Sequence, residues 1–91
     1  DENYNFSDDK KVSLLKKYKD YIKAKKINLN LDEIENIEFD QIIKFIAMVS
    51  PFKNIDKQAL LETDGILEFY NKLKSIIDLE LAGEMPNITI N

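Results

Sequence analysis

The chain has 91 residues, 44% hydrophobic and 33% charged, a balance that fits one small globular domain rather than a disordered segment. It contains no cysteine and no histidine, which excludes a disulfide framework, a cysteine-based zinc site and the usual general base. Its two glycines and two prolines are too few for the turns of a β-sandwich or barrel, and no apolar run approaches the ~20 residues of a membrane span. The expected class is all-α: a small bundle of four to five helices with no sheet. Residues 8–83 form the bundle, 1–7 a linker or frayed terminus, and 84–91 a tail with a weak Ile88/Ile90 alternation.

Ser7, Asp8 and Asp9 read as a helix start, a hydroxyl cap followed by acids at the positive end of the dipole. Val12, Leu15, Tyr18 and Ile22 then recur at helical spacing, widened by Leu14 and Tyr21, which predicts an amphipathic helix over about 8–25. Ile27 and Leu29 belong to a connecting segment. Asn30 caps a short helix through Leu31, Ile34 and Ile37. Residues 39–49 are the most apolar stretch and predict a central helix, which Ser50-Pro51 ends because proline pushes the residue before it out of the helical region. Asn54 is positioned to cap a helix from Ile55 to about Glu62. After a break at Thr63-Asp64-Gly65, a long helix is expected from Asp64 to Ala82. Leu67, Tyr70, Leu73, Ile77 and Leu81 share its stripe, and Gly83 is its stop. The expected core is Leu15, Ile22, Ile42, Phe45, Ile46, Leu60, Leu61, Tyr70, Leu73 and Ile77.

The net charge is −4, but its signs are segregated. Eight of the thirteen lysines lie between Lys10 and Lys26, and arginine is absent. Lys16, Lys19, Lys23 and Lys26 form a candidate basic face that phosphate could contact. Missing arginine argues against nucleic acid, because bidentate contacts use the guanidinium fork. The plainer reading is the solvated side of the first helix. Asp32, Glu33, Glu35, Glu38 and Asp40 lack the spacing of a calcium loop and read as acids at helix starts.

No catalytic constellation is present. With two glycines there is no phosphate loop, and without His or Cys a hydrolase would need a Ser–Lys pair or paired carboxylates. Serines 7, 13, 50 and 75 sit at caps or on helix faces. The expectation is a non-enzyme with no cofactor, no metal and no membrane partner.

One constellation stands out: Ala47-Met48-Val49-Ser50-Pro51-Phe52, four residues, then Lys57-Gln58-Ala59-Leu60-Leu61-Glu62. It is a helix stop, a Pro-Phe turn and a helix restart. Met48, Pro51, Phe52 and Ile55 are the candidate partner-binding residues. Phe52 has two readings, a plug under the turn or an exposed contact, and the plug is favoured.

This run, within Phe39 to Ala82, resembles the helical half of the Lon protease N-terminal domain. It is more similar still to the stand-alone Lon substrate-binding-domain proteins of alphaproteobacteria. Those carry an A-M-x-S-P-F run followed by an acid and K-Q-A-L-L-E. The likeness covers about residues 11–83. It implies a cytoplasmic, non-catalytic bacterial module that recognises polypeptide substrates or another protein. It also implies a β-rich, PUA-like half in the same full-length chain. Lon's ATPase and Ser–Lys protease motifs are not among these residues. Two other functions stand beside this one: nucleic-acid contact through the lysine face, and a purely structural buttress for the β-rich half.

Overall fold

The structure is a computed structural model that describes residues 8–34 and 36–84. The expected linker over 1–7, the Ser7 cap, Glu35 and the tail beyond Glu84 lie outside the described residues. Four α-helices follow in order: α1 Asp8–Ala24, α2 Phe39–Val49, α3 Asn54–Leu61 and α4 Ile66–Glu84. A single 3₁₀ turn, Leu31–Glu33, stands between α1 and α2. No strand occurs among the described residues, so the chain is a small all-α bundle.

The core is one cluster drawn from every helix. Leu14, Leu15, Tyr18, Tyr21 and Ile22 come from α1, and Ile42, Ile43 and Ile46 from α2. Leu60 comes from α3, and Tyr70, Leu73, Ile76 and Ile77 from α4. Leu31 and Ile34 close one side, with Ile27 and Leu29 partly buried against it. The α1 stripe is therefore rotated from its expected position. Leu14, Tyr18 and Tyr21 lie at its centre, and Val12, on the opposite side of the helix, is exposed.

The central helix is α4, not α2, since α4 packs against all three others. Length decides this: nineteen residues span about 28 Å, enough to lie along three partners, whereas α2 has eleven. The surplus apolarity of α2 is consequently not all buried. Leu61 was expected inside but is 77% exposed. It follows Leu60 by about 100° around α3, a helix that meets the bundle chiefly through α4, and Leu60 takes the covered side. Phe45 is half-buried at the core edge beside Ile46. Leu67 lies off the α4 stripe and is exposed.

The helix ends also correct the sequence reading. Asn30 does cap, its Oδ1 accepting from the Asp32 amide at 3.0 Å, but one 3₁₀ turn follows and Ile37 is exposed. Lys53, not Asn54, caps α3, and it does so through its backbone carbonyl, which accepts from the Asp56 and Lys57 amides at 3.0 Å. Gly65 precedes α4 with φ +92, and its carbonyl accepts from the Phe69 amide at 3.1 Å. Gly83 is not a stop, for α4 runs through it to Glu84, the last described residue.

The end of α1 carries a signal that the sequence concealed. The Ile27 amide donates to the Ile22 carbonyl at 2.8 Å and the Lys26 amide to the Lys23 carbonyl at 3.2 Å. That paired arrangement is a Schellman motif, whose C′ residue takes the left-handed conformation. Here C′ is Lys26, at φ 58. A side chain disfavours this conformation by about 1 kcal/mol relative to glycine. Lys26→Gly should therefore raise stability by about 1 kcal/mol, read as a higher urea midpoint with an unchanged slope.

Candidate functional site

The corner where α2 meets α3 holds every candidate partner-binding residue. Met48 and Val49 lie in the last turn of α2, Ser50 to Lys53 form the link, and Ile55 lies in the first turn of α3. Met48 is 71% and Ile55 75% exposed, Val49 and Pro51 are also exposed, and Phe52 is only 5% exposed. Phe52 is thus the plug. Its ring packs on Tyr21 at a centroid distance of 5.6 Å and an interplanar angle of 53°, and Tyr21 in turn stacks on Tyr18 at 5.6 Å and 17°. Tilted and offset rings at such distances are favourable beyond the area they bury.

Ser50 fixes the other end of the link. Its hydroxyl donates to the Ile46 carbonyl at 2.6 Å, and its amide donates to the same carbonyl at 3.1 Å. The Tyr18 hydroxyl lies 2.6 Å from Ser50 Oγ. Because the serine proton is already committed to Ile46, Tyr18 is the donor in this chain of bonds. A buried hydroxyl left without a partner would be destabilising, so the three groups satisfy one another.

Burial pushes the Tyr18 phenol above its ordinary value of 10.0. The native state therefore holds this proton more tightly than the unfolded chain does. The stability that follows is complete below the unfolded value and is lost as pH rises through the higher native one. Tyr18→Phe removes that contribution. Its denaturant midpoint should fall less steeply than that of the parent as pH rises above about 10.

The basic face is present as a surface: Lys16, Lys19, Lys23 and Lys26 are all exposed. Two other lysines of this block are engaged by acids of α4. Lys17 pairs with Asp78, and Lys25 Nζ lies 3.1 Å from Glu80 Oε1. Lys10 sits over the Tyr70 ring at 5.7 Å and Lys25 over Tyr21 at 6.0 Å. Among the described residues no three carboxylates converge where a metal ion could be held, and no helix is long and apolar enough to cross a membrane.

The role of Ser50 is not visible in the sequence. A serine before a proline reads only as a helix stop. Its place under the Tyr18 hydroxyl depends on how α1 crosses the link, which local periodicity does not encode. Tyr18 and Tyr21 were legible as stripe residues through their helical spacing with Leu14. Comparison with models of known protein families gives no match, and no curated protein or solved structure is significantly similar to the chain.

Proposed function

We propose that the chain is a non-catalytic, cytoplasmic protein-interaction module that binds polypeptide segments at the α2–α3 corner, as the helical half of a Lon substrate-binding domain would. The observation that carries this reading is the exposure of Met48, Val49 and Ile55 within eight residues, beside a link that is itself locked into the core. Val12, Leu61, Leu67 and Leu79 are exposed one at a time along the chain, which is ordinary for a soluble surface. A methionine beside aliphatics on a firm support suits varied apolar side chains, since the thioether adapts its shape. A β-rich, PUA-like half in the same full-length chain is part of the proposal.

The test is binding of reduced, carboxymethylated lactalbumin, a permanently unfolded chain, followed by fluorescence anisotropy. Met48→Asp combined with Ile55→Asp should abolish binding while leaving the melting temperature within a few degrees, because both side chains are exposed. Unchanged affinity in that variant removes the corner as the site. The lysine face supports a second reading, a phosphate-bearing partner on Lys16, Lys19, Lys23 and Lys26, since all four are exposed. Affinity that resists the two aspartates and is lost on Lys16→Glu with Lys23→Glu would favour it.

A further inference from the structure

Ser50 is a fully buried polar residue, and it lies between the two helix ends that carry the exposed aliphatics. We propose that Ser50 and Tyr18 are positioning residues for the docking corner. Their hydrogen bond fastens the α2–α3 link to α1, and so sets how Met48, Val49 and Ile55 are presented before any partner arrives. The proposal rests on the reading of that corner as a polypeptide-binding surface.

The link from Ser50 to Lys53 is gripped by α1 at two points one helical turn apart. Tyr21 packs on Phe52, and Tyr18 donates to Ser50 Oγ at 2.6 Å. The two grips differ in kind. The ring pair of Phe52 and Tyr21 has a preferred tilt, but aromatic contacts tolerate a range of offsets and centroid distances, so this grip by itself fixes the link less closely than a hydrogen bond does. A hydrogen bond is directional and falls off steeply with angle. The Ser50 hydroxyl bonds back to the Ile46 carbonyl at 2.6 Å, so the bond from Tyr18 orients the last turn of α2, where Met48 and Val49 sit. Pro51 narrows the backbone choices of Ser50 from the other side. For stability alone an apolar pair of the same shape would serve nearly as well, because exchanging both hydrogen-bond partners together leaves no group unsatisfied. What an apolar pair would not supply is the fixed orientation.

The test is the double variant Tyr18→Phe with Ser50→Ala, assayed for carboxymethylated lactalbumin binding and for thermal melting. It should melt close to the parent yet bind about tenfold more weakly, because a loosened link must be ordered again on binding. Gly65→Ala, strained at φ +92 and outside the corner, is the control for destabilisation by itself and should bind like the parent. If the double variant does not fold, Tyr18→Phe alone carries the test, since it deletes one oxygen and keeps the ring. It must lose more affinity than Gly65→Ala at equal loss of stability. Parent-like binding by the positioning variant, while Met48→Asp with Ile55→Asp abolishes binding, overturns the positioning role and leaves the docking corner standing. Parent-like binding by the two aspartates overturns both.

Discussion

Phe52→Ala should lower the melting temperature by at least about 10 °C. The ring is buried, lies on Tyr21, and fills the space under a link whose backbone Pro51 and Ser50 hold in place. Removing it deletes the transfer energy of the ring and leaves a cavity that cannot easily collapse, together about 3–5 kcal/mol. In a domain of this size each kcal/mol lowers the melting temperature by roughly 4–8 °C. The sum is a large part of what so small a chain has in reserve. Differential scanning calorimetry checks the prediction. A shift of less than about 3 °C would mean that Phe52 is not a structural plug. A contact residue would instead lose affinity for the unfolded chain while its melt stayed in place.

Leu73→Ala should be comparably damaging for a different reason. Leu73 is fully buried near the middle of α4, the helix that packs against α1, α2 and α3. A cavity there loosens several interfaces at once, and the expected loss is about 2–5 kcal/mol. Leu67→Ala on the same helix removes the same atoms from an exposed position, and its cost should stay below about 1 kcal/mol. Urea titration of the pair measures the difference directly, with Leu73→Ala at the lower midpoint. Equal midpoints would mean that α4 is not the helix on which the bundle is assembled.

The four α-helices were legible in this chain because the apolar spacing is strong in each of them, whereas the short helix expected after Asn30 is one 3₁₀ turn. The bounds of α2, Phe39–Val49, follow from the acid-flanked apolar run and from Pro51. Facing was less legible. Val12, Leu61 and Leu67 look like core residues in one dimension, but neighbouring helices cover only part of each circumference. The centre of the bundle was misplaced because apolarity marked α2, whereas length gave the role to α4. Helix ends were read from residue type, and the backbone proved freer than that rule: a lysine occupies the left-handed C′ position of α1, and a glycine lies inside α4. At the candidate site, the helix stop, turn and restart were legible in the sequence, and so was the plug reading of Phe52, which is buried. Sequence could not show the Tyr18–Ser50 bond, which joins residues 32 apart.

The response of unfolded-chain binding to salt separates an apolar corner from a charged face most directly. Carboxymethylated lactalbumin is titrated with the protein between about 50 mM and 500 mM sodium chloride, a range over which the Debye length shortens severalfold. An apolar corner built on Met48, Val49 and Ile55 predicts a dissociation constant that changes less than about threefold, because burial of apolar surface does not depend on screened charge. A collapse in affinity of tenfold or more across that range, accompanied by loss of binding in Lys16→Glu with Lys23→Glu, would contradict it and move the interaction to the lysine face.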